Sequence, residues 1–94
     1  MERIKPYQPK KVILFGSYAW GRPSRSSDVD LFVIKDSKKL KHRRITEVER
    51  LLGETSFPTD VLVYTPAEVR ARLELGDFFV TRVINEGKVL YEKK

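Results

Sequence analysis

VILFGSYAWGRPSRSSDVDLFVI, residues 12–34, is the stretch from which the fold of this chain can be inferred. Apolar runs at 12–15 and 31–34 are separated by Gly16-Ser17 and a polar loop, which predicts a strand, a tight turn, a loop and a second strand. Because side chains alternate along a strand, Asp28 and Asp30 should share one face of the second strand, with its other face toward the core. The sequence therefore predicts two neighbouring carboxylates where this strand begins.

This pair of carboxylates predicts a cation site. Two like charges repel each other unless a cation lies between them, and carboxylate oxygens suit hard divalent ions such as Mg²⁺. Gly16 allows a close backbone approach, and Ser17 is expected to begin a short helix whose free N–H groups could hold phosphate oxygens. We therefore predict a combined metal and phosphate site. The simpler alternatives are surface aspartates on a half-solvated strand and an ordinary Gly-Ser turn.

Two other phosphate motifs are excluded. Residues 16–21 have the glycine spacing of a P-loop, but Arg22 and Pro23 stand where Lys and Ser or Thr must be to reach the phosphates and Mg²⁺. The chain contains no G-x-G-x-x-G sequence, so a Rossmann dinucleotide site is excluded as well.

Gly16-Ser17, ten intervening residues and Asp28-x-Asp30 together resemble the signature of the nucleotidyltransferase superfamily that includes DNA polymerase beta. The likeness is strongest to the small MNT-type proteins, the minimal nucleotidyltransferases. It continues to Asp60, which opens a later apolar strand, and to the closing segment EGKVLY at 86–91. The resemblance thus covers nearly the whole chain and implies a polymerase beta-like fold.

The resemblance implies a role for each residue that matches the motif. Asp28, Asp30 and Asp60 would be the catalytic carboxylates and would hold two Mg²⁺ ions, with Asp60 as third metal ligand and candidate general base. Gly16 and Ser17 would bind the outer phosphates of ATP. Without the resemblance, a surface residue at a loop-to-strand junction is the default interpretation of Asp60.

Trp20 departs from the family pattern, since small members often carry Arg at this position. Arg22 is the candidate nucleotide-binding residue that could take over the phosphate contact. It lies in a polar segment, 21–27, that could face a triphosphate or a partner, or could be a plain connector.

The composition limits the possibilities. With 94 residues and 40% hydrophobic content, we expect a single domain over residues 1–94, with a limited core and little room for a separate acceptor-binding module. The lack of cysteine excludes disulfides, thiolate metal sites and a cysteine nucleophile. The first residues lack the apolar segment of a signal peptide, and no apolar run approaches a membrane span. We therefore expect a cytoplasmic protein that binds no membrane.

The remaining pattern predicts the α/β (α+β) class, a small mixed sheet with helices packed on it. Periodicity and end signals place the helices at 37–52, 66–75 and 78–86. The signals are Gly53 as the stop of the first helix, a capping box at 65–68 and Asp77 as the cap of the last helix. Further strands are expected at 59–64 and 88–91. The side chains of the last helix expected to pack on the sheet are Phe78, Phe79, Val80, Val83 and Ile84. Which strands are neighbours does not follow from the sequence; the resemblance implies that the strand of Asp60 lies beside that of Asp30.

A basic run carries much of the net charge of +6. It consists of Lys35, Lys38, Lys39, Lys41, Arg43 and Arg44 with His42. Such a run could attract nucleic acid or an acidic partner. No aromatic residues interleave with it to stack on bases, so we favour a solvated helix face over an RNA site. His42 is assigned to the surface, with no catalytic or metal role.

The resemblance implies an enzyme of EC 2.7.7 type that transfers AMP from ATP to an acceptor hydroxyl and releases pyrophosphate. Small MNT proteins are often antitoxin partners of helical HEPN toxins, so the expected acceptor is a tyrosine of such a partner, which would make this chain a protein adenylyltransferase. One alternative is a non-catalytic binding antitoxin with a vestigial nucleotide site, against which the intact carboxylates argue. Another is a basic RNA-binding module, although the same carboxylates would repel a phosphate backbone unless metals intervene.

Overall fold

A four-stranded mixed sheet is the centre of the computed structural model, which describes residues 5–16, 29–53 and 59–93. In chain order the strands are β1 (Lys11–Phe15), β2 (Val29–Ile34), β3 (Thr59–Tyr64) and β4 (Lys88–Glu92). The helices are α1 (Lys41–Leu52), α2 (Pro66–Glu74) and α3 (Phe78–Glu86), and a short 3-10 turn, Lys5–Tyr7, precedes β1. The predicted α+β class, helices packed on a mixed sheet, is confirmed.

The strands lie in the order β3-β2-β1-β4. β1 pairs antiparallel with both β2 and β4, whereas β2 and β3 pair parallel and are connected through α1. The two central strands, β1 and β2, therefore contain the apolar runs 12–15 and 31–34. The strand that carries Asp60 lies beside β2, as the resemblance implied.

Helices bury both faces of the sheet. Val48 of α1 packs with Val12 and Val33 on one face, and Val80 and Val83 of α3 pack against the opposite face. The alternating pattern assigns only one face of β2 and β3 to the core, and this is corrected by the structure. The face that bears Asp30 also bears the buried side chains Phe32 and Ile34. Alternation of side chains along a strand cannot show that both faces are buried, because a strand covered on both faces loses its polar alternation.

The helix ends follow the predicted signals. The Thr65 hydroxyl accepts the N–H of Glu68, and the Glu68 carboxylate accepts the N–H of Thr65, so the predicted capping box is confirmed. Asp77 caps α3 by accepting the N–H of Val80. Gly53 ends α1 with a φ of 64°. Within the described part of the chain, no helix has the length and apolarity needed to cross a membrane.

The first helix is shorter than predicted. α1 begins at Lys41 rather than at residue 37, and Leu40 at its N-cap supplies no side-chain hydrogen bond. The Ser37 hydroxyl accepts the N–H of Lys39 at 3.1 Å. Such a local side-chain bond offers the backbone an alternative to helix, which explains why the helical pattern extended too far toward the N-terminus.

Candidate active site

Asp30 and Asp60 are register partners on the neighbouring parallel strands β2 and β3. Register partners project from the same face of a sheet, and neighbouring strands are about 4.8 Å apart. Each aspartate is the second residue of its strand, so the two lie at the same end of the sheet. Asp30 is half-buried and Asp60 is exposed. The fold therefore places two carboxylates side by side at one accessible edge.

Gly16 lies directly against this pair. It follows β1 with a φ of 78°, a left-handed value that favours glycine. A Cβ at this position would overlap the Oδ2 atom of Asp30, so no side chain fits here without displacing that carboxylate. Phe15, the preceding residue, is the register partner of Asp30 on β1. The turn predicted to approach phosphate and the carboxylate predicted to bind metal thus meet at one place.

The other predicted site residues, Ser17, Arg22 and Asp28, lie outside the described residues, as does Trp20. Their assignments stay predictions. Within residues 5–16, 29–53 and 59–93, no group of three or more His, Cys, Asp and Glu side chains comes together as a metal cluster. The described part of the site is therefore the carboxylate pair with the glycine turn.

An aromatic cluster lies on the face of the sheet that bears Asp30. The ring centroid of Phe79 lies 5.3 Å from that of Phe15 and 6.4 Å from that of Phe32. Phe79 is predicted to pack on the sheet, and it does so while 40% of it remains exposed. The same prediction is wrong for Phe78, which is 92% exposed. Phe78 faces solvent because the inward stripe of α3 passes through Val80 and Val83.

Arg44 is a buried structural side chain within the basic run. The charge pattern places it on a solvated face, but it is only 5% exposed. Its guanidinium donates to both carboxylate oxygens of Glu68, at 2.7 and 3.2 Å, and to the carbonyl oxygens of Lys39 and Val63. The sequence carried a signal for this, since Arg44 is four residues before the buried Val48 and so lies on the same helix stripe.

The Arg44–Glu68 ion pair ties α1 and α2 to β3, the strand that carries Asp60. The hydrogen bond from Arg44 is the main reason that the pKa of Glu68 falls from 4.5 to about 2, against the opposing effect of burial. The same hydrogen bond raises the pKa of Arg44. Glu68 is thus charged at neutral pH, and the pair is attached to β3 at Val63, near the end of the strand opposite Asp60.

Apart from Arg44 and the half-buried Lys35, the basic run is exposed, but much of its charge is used within the molecule. Lys39 forms an ion pair with Glu47 at 2.9 Å. The ammonium group of Lys35 lies 4.8 Å from the ring centroid of Tyr7, and that of Lys41 lies at a similar distance from the ring of Tyr64. His42 is exposed, as predicted. The run therefore does not present a continuous basic surface.

The sequence model of the polymerase beta nucleotidyltransferase family matches residues 2–94. The chain therefore belongs to this family, and its general activity is nucleotidyl transfer of EC 2.7.7 type. The family typically uses a divalent metal and a nucleoside triphosphate. A search of curated proteins found no match to the chain.

Proposed function

We propose that this chain transfers AMP from ATP to a tyrosine hydroxyl of a small helical, HEPN-type partner protein and thereby acts as its antitoxin. The family match supports nucleotidyl transfer in general. The observation that supports the proposal at this site is the register pairing of Asp30 with Asp60, together with the close approach of Gly16 to Asp30. The choice of ATP, of a tyrosine and of a HEPN-type partner rests on the resemblance to the minimal nucleotidyltransferases.

The donor set at the sheet edge fits a hard divalent cation. Asp30 and Asp60 bring carboxylate oxygens from adjacent strands to one place, and oxygen is the ligand that Mg²⁺ prefers. Asp28 would complete the set, and the three residues together would hold two Mg²⁺ ions. Bound Mg²⁺ would neutralise charge on the triphosphate and on the departing pyrophosphate.

The residues of the chain itself have two tasks, binding phosphate and accepting a proton. The backbone N–H groups of Gly16 and Ser17 would hold the outer phosphates, with Arg22 as a further phosphate contact. The acceptor oxygen forms its bond to the α-phosphorus as the bond from that phosphorus to pyrophosphate breaks. The hydroxyl proton passes to the carboxylate of Asp60. Asp60 suits this role because it is exposed on the edge strand β3, where a large acceptor can reach it.

A protein acceptor fits the chain better than RNA does. The family match covers residues 2–94, and a domain of this size leaves limited room for a pocket that selects a small acceptor. The burial of Arg44 and the pairing of Lys39 with Glu47 reduce the basic surface open to a phosphate backbone. These two observations favour a protein surface as the source of the hydroxyl.

Nucleotide binding is the first test. We expect calorimetry to detect ATP binding with Mg²⁺ and none with EDTA, and we expect a double Asp30→Asn, Asp60→Asn variant to lose it while remaining folded. Asp36→Asn is the matched control, because Asp36 follows β2 at its other end, about 20 Å along the strand direction from Asp30. Equal affinity for ATP with and without Mg²⁺ would contradict the metal site.

Transfer to a partner is the second test. Co-expression with a candidate HEPN-type protein, followed by intact mass measurement, should show AMP added to a tyrosine of that partner. Asp60→Asn should retain the complex and lose the transfer, since it keeps the shape of the side chain and removes the proton acceptor. An unmodified partner in a stable complex would favour the non-catalytic antitoxin. Label transferred to an RNA end or a small molecule without a partner would refute the protein acceptor.

A further inference from the structure

We propose that Phe79 is the stacking surface for the base of the bound nucleoside triphosphate. This inference rests on the proposed function, because it takes the Asp30–Asp60 edge as the site of the phosphates. It adds a specificity-determining residue on α3, an element to which neither the motif nor the family match assigns a role in binding.

The first support is position. Phe15 faces Asp30 directly across the β1–β2 ladder, and Phe32 is two residues along β2 on the same face. Phe79 packs on both of these rings. It is therefore a partly exposed ring that packs on Phe15, the register partner of Asp30, and on Phe32.

The second support is the way the ring is held. Phe79 packs edge to face against Phe15, with an interplanar angle of 81°. This contact fixes the orientation of the Phe79 ring on the side that faces the sheet. Val80 and Val83, which follow Phe79 on α3, are fully buried, whereas 40% of Phe79 is exposed. A ring that is fixed on one side and open on the other can stack on a flat ligand with little loss of side-chain freedom.

The third support is the arrangement of chemistry around Asp30. The Asp60 carboxylate lies on its β3 side, and the Phe79 ring lies on the same face of the sheet, against Phe15 of β1 and Phe32 of β2. A nucleotide whose phosphates are held at the carboxylate edge has a charged half and a flat aromatic half, and this edge offers one surface suited to each. Because every base has a π-face, stacking of this kind tolerates different bases. Phe79 should therefore contribute affinity for nucleosides in general rather than select one base.

The test compares ATP with inorganic tripolyphosphate, both with Mg²⁺, by calorimetry on the full chain. Phe79→Leu keeps an apolar side chain against Phe15 and Phe32 but removes the ring. We expect it to weaken ATP binding roughly 5-fold or more and to leave tripolyphosphate binding unchanged. Phe79→Tyr keeps the ring and should bind both ligands as the unaltered protein does. Phe78→Leu is the matched control. The ring of Phe78, next to Phe79 in the chain, is 92% exposed, and its removal should change the binding of neither ligand.

The outcomes separate this inference from the proposed function. If the unaltered protein binds neither ligand with Mg²⁺, both are overturned. If it binds both and Phe79→Leu leaves the ratio of the two affinities unchanged, only the stacking role of Phe79 is overturned. An equal loss of both ligands in Phe79→Leu would indicate a purely structural ring and also overturns it. If Phe79→Leu loses the complex with a partner protein but keeps the ratio of the two affinities, Phe79 contributes to protein docking and its stacking role is overturned.

Discussion

Replacing Glu68 with Gln should destabilise the protein by removing one charge from the Arg44–Glu68 pair. The substitution is chosen because it leaves the rest of the local structure intact. The amide oxygen of Gln can still accept the N–H of Thr65, since Gln serves at this position of a capping box. Arg44 keeps its hydrogen bonds to the carbonyl oxygens of Lys39 and Val63. The measured change therefore reports the ionic part of the contact.

The magnitude follows from the pKa of Glu68. A fall from 4.5 to about 2 corresponds to about 3 kcal/mol of stability at neutral pH. The Glu68 side chain is 34% exposed, so solvent screening reduces the expected loss in Glu68→Gln to about 1–2 kcal/mol. In a domain of this size, such a loss lowers the melting temperature by about 5–15 °C.

The pH dependence has a definite sign. Because the pKa of Glu68 is lower in the folded state than its ordinary value of 4.5, the stabilisation is fully present above pH 4.5 and disappears as the pH falls toward about 2. Below that value Glu68 is protonated in both states. The unaltered protein and Glu68→Gln should therefore differ at neutral pH and converge in acid.

Urea unfolding of both proteins, from neutral pH downward, measures this difference directly. The matched control is Glu86→Gln, the same substitution in an exposed pair, where Arg82 lies 3.5 Å away and both side chains are more than half exposed. This control should change the free energy of unfolding by less than about 0.5 kcal/mol. Equal stability of Glu68→Gln and the unaltered protein at neutral pH would refute the reasoning, as would a difference that persists undiminished in acid.

Two further substitutions test single contacts. Gly16→Ala should destabilise the protein by about 2 kcal/mol more than Gly76→Ala, because both glycines have left-handed φ values, 78° and 77°, but only the alanine at 16 would overlap a carboxylate. Thermal unfolding measures the loss of stability in both variants, and Mg²⁺-dependent ATP binding should weaken only in Gly16→Ala. Equal losses of stability would contradict the close contact between Gly16 and Asp30. Tyr7→Phe should raise the free energy of unfolding by up to about 1 kcal/mol, since the buried Tyr7 hydroxyl has no hydrogen-bond partner among the described residues. A urea titration that shows a loss of stability would mean that this hydroxyl is satisfied in solution.

Features set by local chemistry could be predicted from the sequence. The capping box of α2, the Asp77 cap of α3 and the Gly53 end of α1 all form between residues a few positions apart. The strands could be predicted as well, because alternation and apolar runs act within one segment. The family resemblance rested on such a local pattern, a glycine turn and an Asp-x-Asp at fixed spacing. The class of protein could therefore be inferred without knowledge of any contact between distant segments.

Features that depend on contacts between distant segments were decided by the tertiary structure. Asp30 and Asp60 are far apart in the chain, and only the parallel register of β2 and β3 makes them partners. The burial of Arg44 depends on its contact with Glu68 of another helix, so a charge run predicted to be solvated contained one partly buried ion pair. The packing of Phe79 on Phe15, the register partner of Asp30, likewise depends on where α3 lies on the sheet. Local propensity carries no information about these pairings, because the free energy that selects them comes from packing both faces of the sheet at once.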